Sequence, residues 1–290
     1  MPCLVLTDRF FRAMRTHGIM HLTEAAVATT ATTYVPSSRS TFEWFYVWMG
    51  GLCMVLPLGG FFGTYLVPIA SGTFEEPPIV HLHALFSFAW IGLFVLQSWL
   101  IARGRVVRHR AIGLGGIALA TATFFTGVII AIKAMNAGIV AGNGQTARVV
   151  AIFPFTIIAT FAGLVAAAIA NVKRPEYHKR LMLMATLSIM PPALARIIGM
   201  AATLTTLAPR QFGVAPPSVV AAIAIGTVAG VAADLLIVAA IVYEWRKRGR
   251  PHRVYWIASG IILAVHVLRI PMSTTEAWAG FTEMLSSLAH

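Results

Sequence analysis

The sequence predicts an all-α integral membrane protein, a bundle of about seven transmembrane helices. Hydrophobic residues make up 58% of the 290 residues and charged residues only 11%, and the mean hydropathy is +0.79. A soluble globule of this size needs more polar surface than that. Seven apolar stretches also approach the ~20 residues that cross a bilayer core, and basic residues collect in alternate connectors. The lipid bilayer is therefore the expected surrounding of most of the chain.

The seven predicted spans are joined by connectors that are too short to form a second domain. No internal repeat is evident, and only the last span is marginal in length. In chain order, the predicted spans cover residues 44–70, 79–102, 111–133, 149–171, 181–203, 217–243 and 254–271.

Three segments follow from this division. Residues 1–43 are predicted to form a cytoplasmic N-terminal segment, which starts with interleaved apolar and arginine residues typical of a helix on the membrane surface. Residues 23–40 within it form a Thr/Ser/Ala-rich tether. Residues 44–271 form the seven-helix transmembrane domain. Residues 272–290 begin with helix-capping side chains and continue with spaced apolar ones, which predicts an external amphipathic tail.

The basic residues set the predicted orientation. The formal net charge is +12, but the lysines and arginines lie in loops rather than on one face, which argues against nucleic acid as a partner. Most of them precede the first span or lie in residues 103–110, 173–180 and 246–253. By the positive-inside rule these segments are cytoplasmic. The N-terminus is therefore predicted inside and the C-terminus outside.

Span two carries a stripe of polar and aromatic residues. Ionisable side chains inside a membrane are costly and are functional candidates by default. His81 lies about 160° from His83 on a regular helix, so both can serve one site only if the helix begins at or after His83. The members of the stripe recur at helical spacing, which predicts a face that points into the bundle: His83, Ser87, Trp90, Phe94 and Gln97.

Histidines and arginines are predicted near the outer end of the bundle. His266 and Arg269 share a face of span seven, His83 lies at a similar depth in span two, and Arg196 lies near the outer end of span five. Imidazoles on two helices can bind a haem iron and guanidiniums can bind its propionates, which predicts a b-type haem. Alternatively, His81, His83 and His266 hold zinc or copper. Hydrogen bonding within the bundle is the third alternative.

A second histidine pair is predicted at the inner side. His109 lies at the mouth of span three and His178 at the mouth of span five. They are candidates for an inner haem or metal site, and equally for solvated interface residues or ligands of lipid phosphate. A stripe of small residues follows His109 and allows either close helix approach or room for a flat ligand: Gly113, Gly116, Ala120, Thr123 and Gly127.

Asp234 is the one carboxylate predicted well inside a span, in the inner half of span six. It needs a partner or a proton there, and it can pair with an inner-mouth histidine or arginine, relay protons, or accept a hydrogen bond from a neighbouring helix. Pro191 and Pro192 predict a break in the helix of span five, of the kind found at kinks and around cavities.

One stretch of the chain carries a resemblance. The run HLHALFSFAWIGLFVLQSWLIARGRVVRHRAIGLGG, followed by RPEYHKRLMLMAT, covers spans two to five. Its pattern of HxH, Trp, Gln, Gly, His-Arg, Gly and a later PExHKRLM resembles a group of bacterial polytopic membrane proteins of unknown function. This resemblance implies the bacterial inner membrane as the location. Histidines at both membrane faces are also similar to the b561-type transmembrane cytochromes, which implies histidine-bound haem b.

Three functions from different classes are compatible with these residues. The first is a redox protein that binds haem b and passes electrons between a quinol, or a redox partner protein, and an external acceptor. The second is a membrane enzyme with a zinc or copper ion at the outer histidines. The third is a cofactor-free transporter, channel or assembly factor, in which Asp234, Arg196 and the double proline are the central features.

Overall fold

The computed structural model describes residues 41–206 and 218–287, with the side chains of 43–201 and 218–287. The predicted surface helix and tether of the N-terminal segment lie outside these residues. The regular structure of the described residues is helical, without a strand. A π-helical turn, Phe62–Leu66, joins the first two helices. The helices are α1 (Thr41–Phe61), α2 (Val67–Ala70), α3 (Pro78–Ala102), α4 (Val106–Val140), α5 (Gly144–Val150), α6 (Ile152–Ala170), α7 (Pro175–Ser188), α8 (Pro191–Thr206), α9 (Val219–Arg248), α10 (Arg253–Met272) and α11 (Glu276–Ser287).

Seven helical segments of the described chain are long and apolar enough to cross a membrane, as predicted. Spans three, four and five begin several residues earlier than predicted and spans three and six end several residues later, because polar and charged residues that flank an apolar stretch can continue its helix. Spans four and five end slightly earlier, and span six begins slightly later, than predicted. The largest difference is span three, which has 35 residues and is about 53 Å long at 1.5 Å per residue. The spans are Glu43–Ala70, Pro78–Ala102, Val106–Val140, Gly144–Ala170, Pro175–Ala201, Val219–Arg248 and Arg253–Met272.

Since successive spans run in opposite directions, alternate connectors lie at the same end of the bundle. Three connectors at one end are rich in Lys and Arg, and we call this the basic end: residues 103–105, 171–174 and 249–252. The other end, which we call the opposite end, carries residues 71–77, 141–143 and 273–275.

Span five lies at the centre of the bundle. Half of its apolar stretch is buried, against 17% for spans one and two. Leu183, Met184, Ala185 and Leu187 in α7 have no exposed surface. The side chains of the neighbouring helices therefore pack around α7, and polar groups on it are held away from lipid.

The helix of span five breaks at the double proline, as predicted. α7 ends at Ser188 and α8 begins at Pro191, because a proline has no N–H to donate and its ring blocks the preceding turn. Span one packs directly against this break. A Cβ on Gly60 would lie 2.4 Å from the carbonyl oxygen of Ala193, so only glycine allows the approach.

Side chains and glycine define the ends of the last two spans. Ser218 caps α9 by accepting a hydrogen bond from the Ala221 N–H at 3.2 Å, and Gly249 ends the helix with φ of 74°, which glycine adopts without strain. His252 Nδ1 accepts from the Val254 N–H at 3.3 Å at the start of α10. The turn between spans six and seven is therefore fixed by local capping.

A tail helix follows the last span. Thr275 Oγ1 accepts a hydrogen bond from the Trp278 N–H at 3.2 Å and so caps α11. The Trp278 indole N–H donates to the Arg148 carbonyl at 2.8 Å, and its ring packs on Phe155 with 6.0 Å between centroids. Thr282 is fully buried. The tail helix is thus docked on span four.

Candidate functional site

A small cavity with polar and apolar lining residues lies between spans four, five, six and seven, next to the break in span five. The volume that the centre of a water molecule can occupy in this cavity is about 20 Å³. This is enough for one water molecule or an ion of similar size. Apolar side chains and Pro191 complete its wall. The polar residues that line it are Thr156, Thr160, Ser188, Asp234, His266 and Arg269.

Asp234 and His266 form a hydrogen-bonded pair in this cavity. Asp234 Oδ2 lies 3.0 Å from His266 Nδ1, and since an ionised carboxylate only accepts, the imidazole Nδ1–H is the donor. His266 Nε2 is left available to take up or release a proton. The sequence suggested an inner-mouth histidine or arginine as one partner for Asp234. Its partner is a histidine of the neighbouring span seven, which agrees with the other predicted alternative, a hydrogen bond accepted from a neighbouring helix.

Arg269 lies on the wall of the same cavity and is only 1% exposed. Its Nη2 donates to the Gly226 carbonyl at 3.4 Å, and the guanidinium carbon lies 4.3 Å from the centroid of the Phe153 ring. Nε and Nη1 have no hydrogen-bond partner among the described residues. Two strong donors of a buried cation are therefore unsatisfied by this part of the protein.

Glycines on α9 make room for this arrangement. A Cβ on Gly230 would lie 3.0 Å from Arg269 Nη2 and 3.2 Å from His266 Cε1. A Cβ on Gly226 would lie 2.5 Å from Cε1 of Phe153. Side chains at these two positions would displace the cation, the imidazole or the aromatic ring.

The predicted stripe of span two does face inward. Trp90 is 2% exposed and meets Phe161 edge to face at 5.0 Å. His83 Nδ1 lies 3.1 Å from Thr126 Oγ1. This hydroxyl donates to the Ala122 carbonyl, so it accepts from the imidazole N–H. His83 is thus engaged with span three.

His81 does not join His83. The helix begins at Pro78, before both histidines, so they keep their angular separation, and His81 Nδ1 lies 3.2 Å from the Tyr65 hydroxyl. No three metal-binding side chains converge in residues 41–206 and 218–287. The expected zinc or copper cluster of His81, His83 and His266 is therefore not formed in this structure.

The residues of the predicted outer haem site have separate partners. His83 bonds to span three and His266 to span six. The exposed Arg196 donates to the Pro192 carbonyl at 2.9 Å and lies 4.2 Å from the ring centroid of Phe61. The assignment of these residues to a haem stays a prediction.

The two histidines predicted at the inner side do come together. The rings of His109 and His178 have centroids 6.4 Å apart and are nearly perpendicular, at 84°. His178 Nδ1 lies 2.9 Å from the Ala168 carbonyl, which fixes the proton on Nδ1 and leaves the Nε2 lone pair free. His109 Nδ1 and both amide atoms of Gln97 are buried without hydrogen-bond partners among the described residues.

The stripe of small residues on α4 serves close helix approach. A Cβ on Gly116 would lie 3.1 Å from Leu93, and one on Gly127 would lie 3.0 Å from Ile158. Thr123 Oγ1 reaches the Phe86 carbonyl at 3.4 Å. Side chains of neighbouring spans therefore occupy the space beside Gly116 and Gly127, and this part of the face has no room for a flat ligand.

An ion-pair network at the basic end was missed by sequence reasoning. Arg180 has no exposed surface and Glu244 is 1% exposed. Arg180 Nε donates to Glu244 Oε2 at 3.0 Å, Nη2 donates to Glu244 Oε1, and Nη1 donates to Glu176 Oε2 at 2.9 Å. Lys179 Nζ bridges Glu43 at 3.1 Å and Glu176 at 2.8 Å.

Arg248 and His252 extend this network into the connector. Arg248 Nη1 donates to Glu176 Oε2 at 2.7 Å, and the His252 backbone N–H donates to Glu244 Oε2 at 3.3 Å. Burial lowers the pKa of the His252 imidazole from its ordinary value, and the guanidinium of Arg180 lowers it further. The sequence did contain a signal, because Glu244 is an acidic residue within a basic run. The predicted span six ended at residue 243 and therefore left Glu244 out.

No protein-family model, curated protein or solved structure matches this chain. The functional conclusions therefore depend on the geometry of its own residues.

Proposed function

We propose that the protein is a proton-coupled transporter in which Asp234 and His266 form the coupling centre. The observation that carries this proposal is the cavity at the break in span five, which a carboxylate, an imidazole and a guanidinium line together. Ionisable groups inside a membrane domain are costly and are typical of ion pathways and proton relays. Broken helices are typical of transporter binding sites.

The chemistry of the pair suits proton coupling. Asp234 accepts the His266 Nδ1–H at 3.0 Å, so an ionised Asp234 orients the ring and stabilises the imidazolium. Proton uptake then takes place at His266 Nε2. The proton changes the charge of a cavity that holds one water-sized species. A substrate bound beside it therefore senses the protonation state of His266.

The backbone around the cavity is suited to movement. Span five is interrupted between Ser188 and Pro191, and Gly60 of span one, which packs on this break, is followed by the π-helical turn Phe62–Leu66. Two neighbouring spans thus leave the regular helix at the same place. Such irregularities are frequent at functional sites.

We assign the basic end to the cytoplasm of a bacterial cell and the tail helix α11 to the outside of its inner membrane. The support is the concentration of lysine and arginine in the connectors 103–105, 171–174 and 249–252.

The test is proton flux in liposomes. Purified protein is reconstituted with a pH-sensitive dye in the lumen, and an inward pH gradient is applied in the presence of a filtered extract of small cellular solutes, which supplies the unidentified substrate. We expect faster acidification than in protein-free liposomes, loss of this acceleration in Asp234→Asn and His266→Gln, and its retention in His81→Gln. A rate equal to that of protein-free liposomes, or one unchanged in Asp234→Asn, would overturn the proposal.

The redox function is a second candidate, and the approach of His109 to His178 favours it. Since a metal–nitrogen bond is about 2.1 Å, two imidazoles on opposite sides of one ion have centroids about 6 Å apart. The separation of 6.4 Å is close to this value. The hydrogen bond from His178 Nδ1 to the Ala168 carbonyl is the usual support of a metal-binding histidine. A haem b, with a quinol or protein partner, or a single zinc or copper ion is the cofactor to be tested.

A reduced-minus-oxidised spectrum and metal analysis of one purified sample test this candidate. The candidate is supported by a Soret band, or by about one metal ion per chain. Either signal should be lost in His109→Ala and in His178→Ala and kept in His252→Asn. A flat spectrum without stoichiometric metal excludes it, and that result leaves the proton-coupled proposal unaffected.

A further inference from the structure

We infer that the cavity binds one small monovalent anion against Arg269 and that the anion is the substrate moved with the proton. This inference rests on the proposed coupling at Asp234 and His266 and names the class of solute that the same cavity takes.

The first argument is the state of the Arg269 side chain. It is 1% exposed, lines the cavity, and has Nε and Nη1 without partners among the described residues. A buried cation with unpaired donors is unfavourable. Nε–H and Nη1 lie on different edges of the guanidinium, because Nη2 is the nitrogen beside Nε–H, as in the Arg180–Glu244 pair. Each of the two can separately donate a charge-assisted hydrogen bond to an anion. The unsatisfied donors therefore indicate a bound acceptor.

The second argument is the charge of the cavity wall. The lining side chains of α6 and α7 that carry polar groups are uncharged: Thr156, Thr160 and Ser188. The charged and titratable groups that face the cavity are Asp234 from α9, and His266 and Arg269 from α10.

The charges of these three groups set the stoichiometry. With His266 neutral, Arg269 and an ionised Asp234 balance, and the cavity has no charge to attract an anion. With His266 protonated, the cavity carries one positive charge, which one monovalent anion neutralises. Anion and proton therefore stabilise each other, and by thermodynamic linkage the coupling is reciprocal.

The third argument is the distribution of donors and the size of the space. Thr156 Oγ1 already donates to the carbonyls of Ile152 and Phe153. The donors left for an anion include Arg269 Nε or Nη1 and, after proton uptake, His266 Nε2. The space of about 20 Å³ suits a small anion better than a large one. Chloride, nitrate and formate are suitable probes.

The test measures anion binding and anion flux separately from proton flux. Thermal stability of the detergent-purified protein is measured with sodium chloride, nitrate and formate at neutral and mildly acidic pH, against sodium gluconate as the large control anion. Radiolabelled chloride uptake into liposomes is measured with an inward pH gradient. We expect at least one probe to stabilise the protein, tighter binding at mildly acidic than at neutral pH, by at most about tenfold per pH unit because one proton is linked to binding, and chloride uptake that needs the gradient.

Arg269→Gln should lower the affinity at least tenfold, and Arg196→Gln is the matched control, since this exposed arginine lies over Phe61 rather than in the cavity. If Arg269→Gln does not fold, Gly230→Ala is the second variant, because its Cβ would push on Arg269 Nη2 and His266 while every charge is kept. It should also weaken binding, whereas Gly163→Ala, where a Cβ meets no atom within 4 Å, should not.

The outcomes separate the two proposals. The anion inference is overturned if none of the three probes stabilises the protein. It is also overturned if Arg269→Gln binds a probe as tightly as the unchanged protein, or if the affinity does not depend on pH. If proton flux still requires Asp234 and His266 in that case, the transporter proposal stands. Probe binding that needs Arg269 and acid pH, without any proton flux, confirms the anion site and overturns the transporter proposal instead.

Discussion

Arg180 of α7 and Glu244 of α9 form a two-point ion pair that is closed to solvent on both partners. Arg180 Nε lies 3.0 Å from Glu244 Oε2, and Nη2 bonds to Oε1, while the side chains are 0% and 2% exposed. The pair joins spans five and six at the basic end. It fixes α7, the central helix, relative to α9, which carries Asp234.

Removal of one partner of this pair should destabilise the protein strongly. Glu244→Gln removes a charged partner from both Arg180 Nε and Nη2, while Glu176 still pairs with Nη1, and the loss of one partner of a buried pair costs up to about 3–5 kcal/mol. The double variant Arg180→Leu with Glu244→Leu should cost less than the sum of the costs of Arg180→Leu and Glu244→Leu made singly. Unfolding in detergent by added dodecyl sulfate measures both. Glu283→Gln in the exposed part of α11 is the control, and additive effects of the two single changes would contradict the prediction.

Stability should fall in mild acid through His252. Because burial lowers its pKa, the folded chain binds fewer protons than the unfolded chain once the pH falls below about 6.5. The stabilising contribution is complete above that pH and declines as the pH decreases toward the folded-state value. His252→Asn keeps a capping side chain for α10 and should show a smaller decline in melting temperature between neutral and mildly acidic pH. An identical decline in both proteins would exclude this histidine as the cause.

Alanine substitutions at two adjacent glycines of span one should change the stability of the protein in opposite directions. Gly60→Ala places a Cβ 2.4 Å from the Ala193 carbonyl oxygen, so the helices must separate at a cost of about 1–3 kcal/mol. A Cβ on Gly59 meets no atom within 4 Å, and alanine is the better helix former by up to about 1 kcal/mol. The measurement is the melting temperature of each of the two variants, Gly60→Ala and Gly59→Ala, in detergent, compared with that of the unchanged protein. Equal tolerance of both alanines would show that span one does not contact the break in span five.

The docking of the tail helix should depend on the Trp278 indole. Trp278→Phe removes the donor to the Arg148 carbonyl but retains a ring against Phe155, and the lost hydrogen bond should cost about 0.5–1.5 kcal/mol. The measurable result is faster proteolysis of residues 276–287 without loss of the membrane-embedded core. Phe281→Leu, which keeps the indole bond, is the comparison variant, and it should release the tail less.

The spans and the break in span five could be predicted because each depends on a local property. Apolar length determines whether a segment can cross a bilayer, and Pro191 prevents the helical hydrogen bond wherever its helix lies. The stripe from His83 to Gln97 was also predictable, since helical spacing alone places its members on one face. The prediction of these features requires no knowledge of the neighbouring helices.

The partners of the polar residues could not be predicted in the same way. His266 bonds to Asp234 because spans six and seven are neighbours, and His109 meets His178 because spans three and five approach each other. The order of helices around a bundle depends on many packing contacts. The burial of Glu244 likewise depends on Arg180, which lies 64 positions away. A hydropathy profile treats the two charged residues separately and therefore predicts that both are exposed to solvent.

The interruption of span five gives this span two mechanical halves. The ion pair at Arg180 anchors α7, whereas α8 starts after Ile189 and Met190, which belong to neither helix. A tilt of α8 about these two residues changes the distance between Pro191 and Asp234 across the cavity but leaves the length of the Arg180–Glu244 pair unchanged. The Arg180–Glu244 pair thus fixes α7 relative to α9, whereas the opening of the cavity depends on the position of α8.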